Sequence, residues 1–539
     1  MQKDQFDGII IGSGQHGLIL GSYLAKAGLK ILLVERNLNY GGGFMTEEVT
    51  LPGFYHNLHS INHWDLLGTP WYRDLELGAK VPYVTPEYEF SQPHSDGTAL
   101  VFARNLEETV ASIARFSKKD ADAFREWNKK AEKITRNIFL AERFSEPLPR
   151  EEREELLSRT PEGREFLDLV GKQPLETLNE LFEDERIKVF LLFKLSLFGT
   201  VLYDMVMDES PTGSILRAFD IDIGYDLCVG GSWNLARGLM ETFIAAGGTF
   251  VNQAHVERIV VEGNQATGIE LKDGRSFSAG RFVASTVDVH QTFEEMVGED
   301  QLPVEYREKV AAHHYTPWAL FGLHLALEEP PIYSSTGYDP NVNLALKNNI
   351  GSETLEQLLG VHDAVKENRI PTEIQFGSGA MTVIDPKQAP PGKHTAYAWH
   401  VMPYDPEGRP ELVEEIKDEF SERILEKWRE YAPNLTEDNI LGQYAYTPYE
   451  YVQHFPNMRG GDIFMGAFTA DQVMYNHFGY RTPIEGLYMA GSAAHPGGAI
   501  SGGAGYITAR IIAEDLGIEP WWKPVDVREK LEQLAVAGS

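Results

Sequence analysis

A single cysteine, Cys228, stands in 539 residues. One thiol makes no disulfide framework, no CxxC pair and no cysteine metal site within a chain, which excludes redox enzymes that work through an active disulfide. Basic residues are scarce too: 48 Lys and Arg against 80 Asp and Glu leave a net charge of −32. Nucleic acid is therefore not an expected partner, because phosphate backbones are held by clustered Lys and Arg. An anionic membrane surface is disfavoured for the same reason. No apolar run reaches the ~20 residues of a membrane span. The nearest, 189–203, contains Lys194 and reads as a core helix, with a peripheral membrane contact as the alternative. A strand-like run starts already at Phe6, so no cleaved signal peptide is expected and the expected location is the cytoplasm. His56, His59 and His63 lie close together, but no second ligand cluster accompanies them in the sequence. A metal site needs three or four convergent ligands, and none is expected.

What the chain does have is glycine in ordered places. An apolar run at 6–11 reads as a buried parallel strand. It breaks into Gly12-x-Gly14-x-x-Gly17, followed by an amphipathic segment with Leu20, Tyr23, Leu24 and Ala27 at helical spacing. Gly28 ends that helix as a left-handed cap would. A second buried strand, 30–34, carries Glu35 at its end, 18 residues after Gly17. Each part has a mechanical job in dinucleotide binding. Gly12 allows the tight turn, Gly14 lets backbone approach a pyrophosphate, and Gly17 lets helix pack on strand. The phosphates sit on the helix N-terminus and Glu35 accepts from ribose hydroxyls. An acid there disfavours a 2′-phosphate, which leaves FAD or NAD.

Composition is globular, 42% hydrophobic and 24% charged, and the length allows two domains. Gly41-Gly42-Gly43 follows Glu35. Residues 106–203 are strongly helical in composition, with breaks at the prolines near 147, 161 and 174. A helix at 235–246, a strand at 249–252 and a small meander returning to 281–285 complete the nucleotide unit. Strand-like 318–327 and 394–401 and a helix at 411–431 belong to a second sheet. The tail, 486–505, is a buried strand running into a glycine-rich loop and a helix, whose N-terminus offers unpaired N–H groups and a positive dipole end. The expected class is α/β: a discontinuous Rossmann-like domain (1–84, 226–289 and 443–539) with an inserted α+β substrate domain (85–225 and 290–442).

These motifs, in this order, resemble the phytoene-dehydrogenase-like FAD oxidoreductases, the group of phytoene desaturases, carotenoid isomerases and retinol saturases within the flavin amine oxidase superfamily. The tail pattern Thr482-Pro483-Ile484-x-Gly486-Leu487-Tyr488 and Gly491-Ser492-x-x-His495-Pro496-Gly497-Gly498 resembles most the branch of pyridine-nucleotide-disulfide oxidoreductase domain-containing protein 2. The resemblance implies non-covalent FAD. By position, Gly12, Gly14, Gly17 and Glu35 would hold its adenosine diphosphate, and Gly42, Gly43 and Thr46 would line the pyrophosphate and ribityl region. Val256 would contact adenine through its backbone, Gly491 and Ser492 would meet the ribityl phosphate, and the loop from Gly497 and Gly498 to Gly503 would run beside the isoalloxazine. Two positions depart from the family pattern: Gly43 stands where Arg is usual, and Ser492 where the superfamily often has an acid.

Gly377-Ser378-Gly379 lacks a third glycine and its flanks, so no separate nicotinamide domain is expected. Electrons would then pass to oxygen, a quinone or another protein. The resemblance implies a hydrophobic, isoprenoid- or lipid-like substrate that is desaturated at a CH–CH bond. A redox-neutral isomerase or a saturase, and a flavin-binding interaction protein without turnover, are the alternatives. His59, Tyr404 and His495 are the candidate catalytic side chains.

Overall fold

The computed structural model describes residues 5–196, 216–219, 221 and 223–537. Two seven-stranded sheets carry the architecture. The first starts from strand β1 (Gln5–Ile11), the helix α1 (Gln15–Lys26) and strand β2 (Ile31–Val34). β2 lies parallel to β1, with Gly8 opposite Ile31 and Ile11 opposite Val34. Thr249–Val251 extends the sheet beyond β2, while Ser276–Ser285 pairs on the other side of β1 and is joined there by Leu487–Met489. Ile9, Ile10 and the whole of β2 are buried, as the unbroken apolar runs require for a sheet covered on both faces. The chain thus returns to one sheet from three distant segments.

α1 differs from the amphipathic helix expected. His16 to Ala25 are all buried, because the tail helix Gly503–Asp515 and the helix Trp233–Ala245 both pack on it. Small residues make that close packing possible: a Cβ on Gly21 would stand 3.1 Å from the Phe243 ring.

The second sheet runs Ile440–Tyr446, Trp318–Leu327, His394–Pro403, Phe376–Gly379, Lys347–Ile350, Tyr88–Pro93, Ala99–Ala103. The strand Ile440–Tyr446 crosses the expected division at 442/443. Helices between Leu106 and Leu195 form a separate apolar layer on this sheet, with Phe102, Phe124 and Phe190 at its centre. Its apolar helix, Glu185–Leu195, is buried from Val189 to Leu195, as a core helix should be; 197–203, the remainder of the expected apolar segment, lies outside the described residues. Among the described residues, no helix is long and apolar enough to cross a membrane.

Candidate functional site

One elongated cavity runs from the end of β1 and β2, past the Gly41–Gly43 loop, to the second sheet. Its first end is built by the glycine motif. Gly12 adopts φ +96°, and a Cβ there would stand 2.5 Å from the Thr286 hydroxyl. Thr286 Oγ1 in turn donates to the Ile11 carbonyl at 2.8 Å, so the turn is locked against the neighbouring strand. A Cβ on Gly17 would stand 2.0 Å from the Gly12 carbonyl oxygen; this glycine lets α1 sit on the turn. Gly14 is different. A Cβ on it would meet no protein atom within 4 Å, so its open side faces the cavity.

Glu35 sits where β2 meets this end. Its Oε2 accepts from Ser13 N at 3.0 Å and Ser13 Oγ at 2.8 Å, and its Oε1 accepts from Asn37 N at 2.9 Å. A carboxylate offers about four acceptor positions, so one is left for a ribose hydroxyl. Ala254 N donates to the Glu35 carbonyl at 2.8 Å, which brings Val256 to the same end; Glu35 and Val256 both line the cavity.

The middle of the cavity is walled by Gly42, Gly43, Ser492 and Ala499 to Ser501. Gly42 takes φ +56°, and a Cβ on it would stand 3.1 Å from Gly14 Cα. Gly41 N donates to the Ser13 carbonyl at 3.0 Å, which ties the two glycine loops together. Ser492 Oγ is buried without a hydrogen-bond partner among the described residues. An orphan hydroxyl beside a glycine cradle is what a phosphate oxygen would satisfy.

The tail helix offers fewer free N–H groups than the sequence leads one to expect. Gly503 N donates to Ser501 Oγ at 3.1 Å and Gly505 N to His16 Nδ1 at 3.3 Å. Gln15 clamps the loop before it, donating to the Ala499 carbonyl at 2.7 Å and accepting from Gly502 N at 3.0 Å. Ser501 and two side chains of α1 thus cap part of the first turn of the tail helix, and its dipole end lies beside the cavity.

Residues 10–75 match the NAD(P)-binding Rossmann-like domain. A subunit of the limonene dehydrogenase of Castellaniella defragrans is 29% identical, covering 97% of this chain and 97% of its own. Pyridine nucleotide-disulfide oxidoreductase domain-containing protein 2 of Rattus norvegicus is 25% identical over 95% and 94%. A lycopene-forming phytoene desaturase of Paracoccus sp. is 23% identical over 94% and 97%. The chain fits the phytoene-desaturase-like group of FAD oxidoreductases. This likeness and the cradle together point to a dinucleotide cofactor of the flavin type.

Within this phytoene-desaturase-like chain the other expected contacts divide. Thr46 does not line the cavity; its Oγ1 donates to Asn57 Oδ1 at 2.7 Å and accepts from Trp233 N at 3.0 Å, holding the glycine loop to the turn at 231–233. Gly491, Gly497, Gly498 and Gly503 make room for protein. Cβ atoms on them would stand 2.5–2.6 Å from the Thr286 carbonyl, the Phe468 ring, the Phe464 carbonyl and the Arg143 carbonyl, respectively. Gly43, by contrast, has only His59 Cβ at 3.9 Å.

Of the three catalytic candidates, His59 alone lines the cavity. Its Nε2 lies 3.1 Å from the Tyr446 hydroxyl, and the Tyr451 and Phe455 rings enclose it. Burial, with a smaller contribution from His454, pushes its imidazolium down to about 3. Tyr404 packs beside Leu58, Ala319 and Met458. His495 Nε2 donates to the Glu142 carbonyl at 2.7 Å, and burial takes its imidazolium down to about 4; it joins the tail loop to the helical layer. Among the described residues no group of three His, Cys, Asp or Glu side chains is arranged to hold a metal.

A neutral His59 is a hydrogen-bonding wall, since an efficient base titrates near the working pH. His59→Phe should therefore leave the pH dependence of flavin reduction unchanged between about pH 5 and 9. Stopped-flow measurements across that range check it, and disappearance of an acidic limb in the variant would overturn it.

Sequence reasoning passed over Gln15, Arg143, Lys347 and Trp399. Gln15 stood inside the glycine motif and was the one with a local signal. The others reach the cavity only through strand pairing and helix packing.

Proposed function

We propose that the chain is an FAD-dependent oxidoreductase that desaturates a hydrophobic substrate at a CH–CH bond. The observation that carries this reading is the continuity of the cavity. A glycine cradle with an acid at its ribose end opens, without a partition, onto the apolar face of the second sheet, where Leu320, Tyr397 and Trp399 line it. Tyr397 and Trp399 are alternate residues of the strand His394–Pro403, so both point to the same face.

When bound, FAD supplies the two-electron acceptor such an oxidation needs. Gly14, Gly42 and Glu35 would hold its adenosine diphosphate, and Ser492 a phosphate oxygen. The aromatic wall excludes water and orients the apolar chain; His59, kept neutral, adds a hydrogen-bonding wall without charge. Oxygen, a quinone or a protein then takes the electrons. Limonene dehydrogenase and phytoene desaturase, by their names, act on hydrocarbons, and we extend that chemistry to this chain.

The test is an anaerobic absorbance titration of the purified yellow protein with terpenes, carotenoid precursors, acyl compounds and amines. Bleaching by a hydrocarbon-like compound, with a product two hydrogens lighter, is the expected result. Bleaching by amines alone would move the assignment to amine oxidation. Acid precipitation of the same protein should release FAD into the supernatant; colour kept in the pellet would contradict non-covalent binding.

A further inference from the structure

The end of the cavity at the second sheet holds more positive charge than oxidation of a hydrocarbon uses. Arg143, Lys194, Arg217 and Lys347 all line it. Each lies over an aromatic face. The Arg143 and Arg217 guanidinium carbons are 4.8 and 4.1 Å from the Trp64 ring centre. Lys194 Nζ is 4.7 Å from the Phe90 ring, and Lys347 Nζ is 3.4 Å from the Tyr225 ring and 5.2 Å from Phe90. A ring face stabilises a cation without neutralising it.

Asp65 and Glu89 are among the carboxylates near this end. Asp65 lies 3.3 Å from Arg143, and Glu89 accepts from Tyr225 N at 2.8 Å. Among the described residues the Lys347 ammonium has neither an ion pair nor a hydrogen bond. Burial pushes it down to about 7; Glu89 opposes that shift, and Arg217 and Lys194 add to it. A desolvated ammonium that makes no direct ion pair or hydrogen bond is poorly compensated even with Glu89 nearby, and a bound carboxylate or phosphate would supply that contact through charge-assisted hydrogen bonds. Phe193, Tyr397 and Trp399 make the adjoining wall apolar.

We propose that the substrate is an apolar chain that ends in an anionic group, a carboxylate or a phosphate, with Lys347 binding that group and Arg143 beside it. This rests on reading the second-sheet end of the cavity as the substrate site. The apolar part then lies along Tyr397 and Trp399 toward the cofactor cradle, and the anchored end sets which bond of the chain reaches it. Lys347 is thus a specificity-determining residue, placed at the cavity by the strand Lys347–Ile350.

The test uses flavin-loaded protein and three probes with the same isoprenoid chain: geranic acid, geranyl diphosphate and geraniol. Perturbation of the flavin spectrum measures binding of each under anaerobic conditions. At least one of the two anions should bind about tenfold or more tighter than geraniol, and the better anion identifies the group. Lys347→Met should reduce that preference to near unity at unchanged flavin content, and Lys347→Arg should restore it. Geraniol binding as tightly as both anions, no binding by either anion, or a preference that survives Lys347→Met would overturn the inference. The underlying reading fails separately: a Lys347-dependent anion preference with no flavin bleaching by any probe keeps the anionic anchor and removes the oxidation, whereas bleaching by geraniol without an anion preference does the reverse.

Discussion

Gly14→Val should yield a folded protein that has lost its flavin. A Cβ at Gly14 meets no protein atom within 4 Å, and the residue's φ of −68° and ψ of −175° are open to any L-amino acid. The substitution therefore costs the apoprotein little. The new side chain instead occupies the space where backbone must approach a pyrophosphate. Overpacking a fitted contact costs about 1–3 kcal/mol or more, roughly tenfold in affinity for each 1.4 kcal/mol, and displacement of a phosphate from its cradle belongs at the upper end. The purified variant should be near colourless, with a far-ultraviolet circular dichroism spectrum like that of the wild-type apoprotein. Full flavin occupancy would show that Gly14 does not meet the cofactor. Gly17→Ala serves as the contrasting case. Its Cβ would stand 2.0 Å from the Gly12 carbonyl oxygen, so it should lower stability and soluble yield in the apoprotein itself.

Arg153→Met should be among the most destabilising single changes in the chain. Arg153 and Glu142 form a two-pronged pair at 2.5 and 2.9 Å, with side chains only 2% and 3% exposed. Arg153 also donates to the Tyr475 hydroxyl at 3.1 Å. Removing the guanidinium leaves a buried carboxylate with no counter-charge, which costs about 3–5 kcal/mol and should lower the melting midpoint by roughly 3–4 °C in a chain of this length. The double variant Glu142→Leu with Arg153→Met should recover most of that loss, because an apolar pair of similar volume replaces a buried ion pair at little cost. Calorimetry of the three proteins decides it; a double variant as unstable as the single one would refute the electrostatic account. The pair also matters for the site. The Glu142 carbonyl accepts from His495, and Arg143 Nη2 donates to the Trp64 and Ile500 carbonyls, each at 3.3 Å. Arg153→Met should therefore loosen flavin retention as well as the helical layer.

The dinucleotide cradle was legible in the sequence because its physics is local. A strand, a turn that needs a positive φ at Gly12, a helix packed through Gly17 and an acid at Glu35 all fall within one short stretch, and each residue type reports its own constraint. The tail was legible in part. Its glycines announced close packing, but not against what. Only the folded chain decides that Gly14 faces the cavity while Gly497, Gly498 and Gly503 face Phe468, Phe464 and Arg143. The same holds for the histidines. Nothing in the sequence separates His59, which lines the cavity, from His495, which bonds the Glu142 carbonyl, since both sit in or beside glycine-rich segments. The cationic end is the extreme case. Arg143, Lys194, Arg217 and Lys347 come from a helical layer and a sheet strand far apart in sequence, so no spacing or motif relates them. Sequence by itself determined which stretches form the glycine cradle, because its shape is made by backbone whose freedom is set residue by residue. Tertiary structure alone decided what else the cavity holds, because its charge comes from side chains brought together only by strand pairing and helix packing.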